Sequence, residues 1–358
     1  MIAIFCLSTT VFPLAPARAD DIRAKLLAYM DSSAGARNFS GSVMVTKGDE
    51  VLLSKGYGFA NVEHEISNTP ATKFRLGSIT KQFTAMAVLI LEERKKLRVE
   101  DPISEHLEDT PETWKDVTIH HLLTHTSGIH SFTNDKAYRE NMMLPQSIDE
   151  MIARFRDEPL EFEPGSRFKY CNSGYFLLGA IIERASGESY EAFLKAAIFT
   201  PLGMKDSGYD HPRTILPRRA SGYQREGGEL INAPYLDMSQ PYAAGALYST
   251  VKDLVRWDQK LRAGELISEE SHKKMFTPFK NGYAYGWNIR ERFGHKQVGH
   301  GGGINGFNTS IARFPDQGVC SVVLSNMIPG PAGQIAGDLA AIALGERVKP
   351  LRPPENPR

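Results

Sequence analysis

The chain has 358 residues, of which 41% are hydrophobic and 23% are charged, a composition typical of a globular protein with one large domain or two small ones. Its 42 Lys and Arg residues balance 42 Asp and Glu residues, so the formal net charge is zero and the basic excess of a nucleic-acid binder is missing. No run of about 18 apolar residues occurs, so the sequence predicts no transmembrane helix.

The first 19 residues differ from the rest of the sequence. An apolar stretch from Ile2 to Leu14 ends in Ala17-Arg18-Ala19, a small-x-small pattern that precedes Asp20. This pattern is typical of a secretory signal peptide over residues 1–19, so we expect a periplasmic or secreted protein. The positive charges that usually open such a peptide are missing, which leaves an ordinary N-terminal extension as the alternative.

Two strands and a buried helix are predicted next. The apolar runs Val43–Val45 and Val51–Leu53 flank a polar stretch, Lys47–Glu50, as in a β-hairpin. The segment ITKQFTAMAVLILEERKKL, which begins at Ile79, is apolar on nearly every side and predicts a helix buried all round. Its last turn is expected to contain the basic residues Lys95, Lys96 and Arg98.

The middle of the chain is predicted to consist of helices and loops. Apolar residues at helical spacing from Phe176 to Ile182 indicate a helix that ends at Gly187, a glycine suited to a left-handed C-terminal conformation. A second helix is expected to stop at Pro201. Further on, Thr250 and Asp253 have the spacing of a capping box for the helix that follows them.

The last third of the chain returns to short strands and ends in a helix over Ala332–Leu344. Strands at both ends and helices between them predict an α/β (α+β) fold, in which one antiparallel sheet is built from the two ends and a helical lobe is inserted. The sequence predicts a single unit over residues 20–345, followed by a Pro-rich tail at 346–358. Within this unit, the α/β part is expected at about 20–100 and 240–345, and the helical lobe at about 101–239.

A glycine motif suggests nucleotide binding at first sight. Gly301, Gly303 and Gly306 form a literal G-x-G-x-x-G, the fingerprint of a dinucleotide loop. Such a loop must open a helix, whereas the residues that follow, FNTSIARF, alternate as a strand does. The sequence therefore predicts no nucleotide cofactor. A G-x-S-x-G nucleophile elbow is also missing.

Several histidines lie close together, but their spacing does not match a zinc site. No H-E-x-x-H or C-x-x-C pattern occurs, so packing and hydrogen bonding are the expected roles of His120, His121, His125 and His130. No metal is therefore predicted. Cys6 would leave with the signal peptide, and Cys171 and Cys320 are too few for a disulfide framework, so we expect both to be free and buried.

The pattern S-x-x-K places a serine and a lysine on one face of a helix, where a desolvated lysine can act as the base that activates the serine. It occurs at Ser78/Lys81, Ser166/Lys169, Ser249/Lys252 and Ser271/Lys274. The last three pairs lie in polar segments and are expected to be solvated. Ser78 instead follows Gly77 at the start of the buried helix, where backbone N–H groups are free to stabilise an oxyanion.

Two further motifs follow Ser78 in order. Tyr170-Cys171-Asn172 is the only Y-x-N in the chain, and its phenol is suited to relaying a proton between nucleophile and leaving group. His300-Gly301-Gly302 lies on a late strand.

Together, Ser78-Ile79-Thr80-Lys81 and these two motifs resemble the three motifs of the serine β-lactamase and penicillin-binding protein superfamily. The resemblance favours the class C β-lactamase-like branch, with its D-alanyl-D-alanine carboxypeptidases and family VIII-type esterases. It spans roughly Phe39 to Asn326 and includes the stretches FRLGSITKQFTA, TIHHLLTHTSGI, IFTPLGMKDSGY and AAGALYSTVKDLVRW.

The resemblance implies an acyl-enzyme mechanism and a role for each matching residue. Ser78 would be the nucleophile, and Lys81 and Tyr170 would share the general-base role. Asn172 would hold Lys81 and the substrate. The third motif, His300 to Gly302, would line the substrate site, and the backbone N–H groups of Ser78 and Gly303 would form the oxyanion hole.

The third motif departs from the family pattern at two positions. Position 300 is His, whose charge is partial near pH 7, and position 301 is Gly, which lacks a hydroxyl for a substrate carboxylate. We therefore expect a secreted serine hydrolase acting on carboxylic esters, D-amino-acid amides or β-lactams, with no cofactor and a small-molecule substrate. A catalytically weak penicillin-binding sensor and a zinc hydrolase are the alternatives.

Overall fold

The computed structural model describes residues 19–35 and 39–348. The predicted signal peptide, with Cys6, therefore lies outside the described residues except for its last residue, and so does the tail from residue 349 onward. Ala19 and Asp20, on either side of the predicted cleavage point, open the first helix. None of the helices described is long and apolar enough to cross a lipid bilayer.

The helices of the described residues are mostly short, and the three longest are α1, α6 and α2. A π-helical stretch, Lys195–Phe199, joins α7 to α8. In chain order the helices are α1 Ala19–Gly35, α2 Thr80–Glu93, α3 Ile119–Leu123, α4 Lys136–Asn141, α5 Ile148–Arg156, α6 Asn172–Ser186, α7 Tyr190–Leu194, α8 Thr200–Leu202, α9 Tyr242–Gly245, α10 Val251–Arg262, α11 Glu269–Met275 and α12 Ala332–Leu344.

The strands form one large sheet and three small ones. In chain order they are β1 Gly41–Lys47, β2 Glu50–Tyr57, β3 Phe59–Asn61, β4 Ile66–Ser67, β5 Phe74–Arg75, β6 Gly208–Tyr209, β7 Tyr223–Glu226, β8 Glu229–Asn232, β9 Leu247–Ser249, β10 Asn288–Arg292, β11 His295–Ile304, β12 Phe307–Phe314, β13 Val319–Ser325 and β14 Met327–Ile328. The small sheets have the strand orders β14-β7-β8, β5-β9-β6 and β3-β4.

The large sheet has six strands in the order β10-β11-β12-β13-β1-β2, and every neighbouring pair is antiparallel. The pairing of β13 with β1 joins the two ends of the chain, since Val43 on β1 lies opposite Val323 on β13. The predicted sharing of one antiparallel sheet by the two ends is therefore confirmed. The predicted hairpin is confirmed as β1 and β2.

Each face of the large sheet packs against its own helical layer. On one face, α1 and α12 form an apolar cluster with sheet residues such as Val43 and Phe314. On the other face lies a larger cluster that contains α2 and α6. Every residue of α2 from Thr80 to Leu91 is buried, as the predicted all-round apolar pattern requires. Ser78, two residues before α2, therefore leads into a helix that is buried on all sides.

Two predicted helix boundaries are wrong. α2 ends at Glu93, before the basic residues expected in its last turn, and Lys95 takes a left-handed φ of 55° that ends the helical path. Pro201 does not stop its helix, because it lies in the first turn of α8, where a missing N–H removes no hydrogen bond. The chain turns instead at Gly203, whose φ is 66°.

Other local predictions agree with the structure in whole or in part. Gly187 ends α6 in a left-handed conformation, and the last helix spans Ala332–Leu344 as predicted. Only half of the predicted capping box is seen, since Thr250 accepts from the backbone N–H of Asp253. The carboxylate of Asp253 accepts from the backbone of Asp206 instead.

Candidate active site

Ser78 lies in a single 3₁₀ turn that leads directly into α2. Gly77 before it has a φ of 54°, and a Cβ atom there would lie 3.0 Å from the backbone nitrogen of Gly303 on β11. β11 also lies close to this turn at Gly302, where a Cβ atom would lie 2.0 Å from the carbonyl oxygen of Leu76. Glycine at both positions therefore lets β11 pass beside the turn that carries Ser78.

The Lys81 ammonium group lies one helical turn after Ser78 and is fully buried. Its Nζ is 3.2 Å from Ser78 Oγ, 2.9 Å from Asn172 Oδ1 and 2.8 Å from the carbonyl oxygen of Ala244 on α9. The two carbonyl oxygens can only accept hydrogen bonds. A neutral amine therefore donates its two hydrogens to Asn172 and Ala244 and accepts the Ser78 hydroxyl hydrogen with its lone pair, which is the arrangement of a general base.

Burial lowers the pKa of Lys81 to about 7, because the charged form loses its hydration. The rings of Tyr170 and Tyr175 lie 4.9 and 5.4 Å from Nζ and exclude water from it. No carboxylate is hydrogen-bonded to Nζ among the residues described, so nothing restores the usual pKa. A large fraction of Lys81 is therefore a neutral base at neutral pH.

Tyr170 also lies beside the Ser78 hydroxyl. Its phenol keeps its proton at neutral pH, whereas Lys81 readily loses one. Although Tyr170 is 37% exposed, desolvation around its hydroxyl raises its pKa above the usual range, and a hydrogen bond with Ser78 offsets only part of that increase. The phenol is therefore protonated at neutral pH. Of the two groups, Lys81 can accept the Ser78 proton and Tyr170 can donate or relay one, whereas the sequence predicted a general-base role shared by both.

Asn172 opens α6 and is held from three directions. Its backbone N–H donates to Ser131 Oγ at 3.0 Å, and its Nδ2 donates to Thr133 Oγ1 at 3.1 Å. Both partners belong to the loop after α3, which sequence reasoning did not assign to the site. With Nδ2 bound to Thr133, the amide oxygen points at Lys81. Ser131 and Thr133 carry no motif of their own, so no sequence signal distinguishes them.

His125 was expected to pack and to form hydrogen bonds, and its hydrogen bonds hold the residues on both sides of Tyr170. Its carbonyl oxygen accepts from the N–H of Lys169 at 2.9 Å, and its Nδ1 accepts from the N–H of Cys171 at 3.1 Å. Its ring centroid lies 4.2 Å from that of Tyr170. Burial, followed by the charge of Lys81, lowers the pKa of His125 well below its usual value. Its φ of 57° is unusual for a non-glycine residue and is the signal of a special role.

A cavity of about 250 Å³ opens in front of Ser78. Its walls combine backbone from Gly77 and Gly303 with apolar side chains from several loops. No charged side chain lines it among the described residues. The lining residues are Gly77, Ser78, Phe132, Thr133, Tyr138, Asn172, Leu236, Pro241, Ala244, Gly245, Gly303, Ile304 and Asn305.

The model of the Beta-lactamase family matches residues 26–345 of this chain. The chain belongs to the Beta-lactamase family. A Bacillus subtilis (strain 168) protein described as a penicillin-binding protein, PbpX, is 36% identical over 300 residues, which cover 83% of this chain and 73% of that protein. Family membership makes this a serine hydrolase of the β-lactamase and penicillin-binding type, as the three motifs predict.

Solved structures of the Beta-lactamase fold agree closely with this one. The octameric penicillin-binding protein homologue from Pyrococcus abyssi is 34% identical, with a TM-score of 0.80 over 90% of this chain and 77% of that chain. A penicillin-binding protein from Bacillus halodurans is 29% identical, with a TM-score of 0.78 over 88% of this chain and 98% of that one. The predicted β-lactamase/transpeptidase-like fold is therefore confirmed.

The third Beta-lactamase motif is placed differently from expectation. Neither His300 nor Gly302 lines the cavity at Ser78. His300 is buried behind it, with Nδ1 at 2.6 Å from the carbonyl oxygen of Gly301 and Nε2 at 3.0 Å from Tyr283 Oη. Since a carbonyl only accepts, Nδ1 carries the proton and Nε2 accepts from the phenol. Burial lowers the pKa of His300 to about 4. The expected partial charge near pH 7 is therefore wrong.

The remaining candidates from the sequence do not form sites. Of the other S-x-x-K pairs, Ser166 is exposed as predicted, but Ser249 and Ser271 are buried, contrary to expectation. None of these serines is hydrogen-bonded to its lysine. Cys171 and Cys320 are free and buried, as predicted.

The crowded histidines do not form a metal site in the part of the chain described. The one group there with ligand atoms within 4.8 Å of one another is Asp101, Glu105 and His106.

Proposed function

We propose that this protein hydrolyses short, uncharged carboxylic esters through an acyl-enzyme on Ser78. The observation that carries the proposal is the 3.2 Å contact between Ser78 Oγ and the buried Lys81 Nζ. A lysine with a pKa lowered to about 7 accepts the hydroxyl proton without the cost of deprotonating an ordinary ammonium group.

The acylation step begins as Ser78 Oγ attacks the ester carbonyl carbon and passes its proton to Lys81. The carbonyl π electrons move to oxygen, and the backbone N–H groups of Ser78 and Gly303, which line the cavity together, would stabilise that oxyanion. The ester C–O bond then breaks as the intermediate collapses. The leaving alkoxide takes the Tyr170 hydroxyl proton, and Lys81 returns its proton to Tyr170.

Deacylation reverses these proton movements with water as the nucleophile. Lys81 accepts a proton from the water as its oxygen attacks the acyl carbon, and Ser78 Oγ leaves with a proton relayed from Lys81 through Tyr170. The products are a carboxylic acid and the free enzyme. No carboxylate lines the cavity among the residues described, so Lys81 and Tyr170 are the groups we assign to both steps.

The substrate class follows from the lining of the cavity. D-alanyl peptides and β-lactams carry a carboxylate, which needs a cationic or hydroxyl-rich partner. The cavity has no charged side chain among its lining residues, and the nearby His300 is neutral. Phe132, Tyr138 and Leu236 offer apolar contact, and about 250 Å³ suits a small acyl group. Neutral esters therefore rank ahead of amides and β-lactams.

A second candidate is slow acylation by penicillins without efficient turnover. It is favoured by the two relatives described above as a penicillin-binding protein and a penicillin-binding protein homologue, at 36% and 34% identity. The groups that acylate an ester would also open a β-lactam ring, because both reactions join Ser78 Oγ to a carbonyl carbon.

A rate comparison separates these functions. The purified protein is assayed with p-nitrophenyl acetate, nitrocefin and a D-alanyl-D-alanine peptide, each with wild type and Ser78→Ala. The proposal expects ester turnover that depends on Ser78 and exceeds the other two rates. Intact mass after penicillin treatment, with a persistent adduct and no ester turnover, would instead establish the penicillin-binding function.

We also propose that the protein is exported to the periplasm or beyond, on the pattern of residues 1–19. Expression of the full chain, followed by fractionation and N-terminal sequencing, tests this. An N-terminus at Asp20 in the exported fraction supports export, and an intact N-terminus in the cytoplasmic fraction contradicts it.

A further inference from the structure

A second cavity, of about 560 Å³, lies on the face of the large sheet that packs on α12. We call it the outer-sheet groove. Its floor is formed by β10, β11 and β12, and one wall is the first turn of α12 at Gly333. It shares no lining residue with the cavity at Ser78.

Strand register explains why this part of the sheet is open. Directly paired residues of an antiparallel sheet share a face, so Arg290 shares its face with Gln297, and Gly301 with Ser310. This face continues into Ala312, which contacts the α1–α12 layer. Glycines on β11 and small residues on β12 leave the floor without bulky side chains. α12 packs on β12 and β13, so the outer strands remain uncovered.

Two side chains of the groove have donor groups without a protein acceptor among the residues described. Gln297 is 2% exposed, and its Oε1 accepts from Arg290 Nε at 2.6 Å, which leaves its Nε2 hydrogens with no acceptor among the residues described. Ser310 is 7% exposed, and its hydroxyl likewise has no hydrogen bond. Both residues line the groove, so these donors are open to it and can donate to a bound ligand or to water.

The charge of the groove is positive and unbalanced. Arg290 forms no ion pair with any described carboxylate, and no Asp or Glu lines the groove. Arg292, on the same face of β10, already pairs with Asp338 at 3.6 Å. The first turn of α12 adds the positive end of a helix dipole and has no side-chain cap, although the N–H of Ala332 donates to Asn308.

We propose that the outer-sheet groove binds a small molecule through a carboxylate or phosphate group. The Arg290 guanidinium and the Gln297 amide would donate to its oxygens near the outer end of the groove, and Ser310 and the α12 N-terminus would bind further polar atoms. Such oxyanions match a planar guanidinium fork and free N–H groups. This site is independent of the ester hydrolysis proposed above, because its residues lie outside the catalytic cavity.

The test is isothermal titration calorimetry with inorganic phosphate and with succinate, at constant ionic strength so that screening does not change. Wild type should bind at least one anion, and the preferred anion identifies the oxyanion class. Arg290→Gln should weaken that binding by about tenfold or more, the loss expected for a charge-assisted hydrogen bond. Arg213→Gln removes an exposed arginine elsewhere and should leave the affinity unchanged.

Two further variants make the result specific to the groove. Gln297→Glu keeps the side-chain shape but places a carboxylate beside Arg290, so it should abolish anion binding while the protein stays folded. Ser78→Ala should bind the anion like wild type, because the catalytic cavity is separate. The proposal is overturned if wild type binds neither anion, or if Arg290→Gln and Gln297→Glu bind as wild type does.

Discussion

The Tyr283 phenol donates a hydrogen bond to His300 Nε2 at 3.0 Å, a contact that fits the neutral imidazole favoured by burial. His300 Nδ1 donates to the Gly301 carbonyl oxygen, so both ring nitrogens are occupied in the neutral form. Protonation would place a second hydrogen against the phenol inside a buried site. His300 therefore supplies shape and hydrogen bonding to the third motif, and no positive charge.

From this contact we predict that recognition of anionic substrates does not improve as the pH falls. The pKa of His300 is lowered to about 4, so the imidazole stays neutral down to about pH 5. The measurement is the ratio of kcat/KM for a carboxylate-bearing ester to that for its neutral analogue, from pH 5.5 to 8. The ratio should be flat. A tenfold rise toward pH 5.5 would show that His300 becomes charged.

Ser78→Ala is expected to lower kcat/KM by about 10⁴-fold or more, because no other hydroxyl contacts Lys81 Nζ among the described residues. Hydrolysis of p-nitrophenyl acetate gives the rate. The matched control is Ser166→Ala, which removes an exposed serine from the same S-x-x-K pattern and should keep wild-type activity. Equal activity in Ser78→Ala and Ser166→Ala would exclude the acyl-Ser78 mechanism.

The pH profile of ester hydrolysis should rise through about pH 7. Lys81 is a base only when neutral, so kcat/KM falls about tenfold per pH unit below its lowered pKa and levels off above it. Tyr170 adds no fall at the alkaline end of this range, because its raised pKa keeps the phenol protonated. The profile is measured with a neutral ester after subtraction of spontaneous hydrolysis. A rate independent of pH between 5.5 and 8 would argue against Lys81 as the base.

Gly302→Ala should destabilise the protein, because its Cβ atom would lie 2.0 Å from the carbonyl oxygen of Leu76. We expect a loss of about 1–3 kcal/mol in the free energy of unfolding, measured by urea denaturation. Gly301→Ala is the control, since its Cβ atom would have one neighbour, the carbonyl oxygen of Thr309 at 3.7 Å. Equal stability of the two variants would contradict the close approach of β11 to the Ser78 turn.

His125→Asn should lower kcat about tenfold with little change in KM, because the Cys171 N–H loses its acceptor and the Tyr170 hydroxyl is displaced. Asparagine tolerates the left-handed φ, so the backbone is not the cause. The control is His121→Asn. His121 caps α3, so its loss should lower Tm without lowering kcat. A kcat loss of equal size in both variants would indicate general destabilisation rather than positioning of Tyr170.

Much of the fold could be predicted because it depends on local chemistry. The all-round apolar pattern identified α2, Gly187 identified the end of α6, and the final helix was placed at its observed bounds. The motifs also identified the residues that meet around Ser78. The prediction that a helix ends at Pro201 was wrong for a local reason as well. Proline usually ends a helix, but it is tolerated in the first turn, where Pro201 lies.

The charges of the site could not be predicted, because they depend on atoms from distant parts of the chain. Burial by elements from distant parts of the chain lowers the pKa of both Lys81 and His300. The supporting residues His125 and Thr133 show their role only once their loops have folded onto the Tyr170 segment. The sequence by itself determined which groups could react. The tertiary structure decided their protonation, because desolvation depends on what surrounds a group in space.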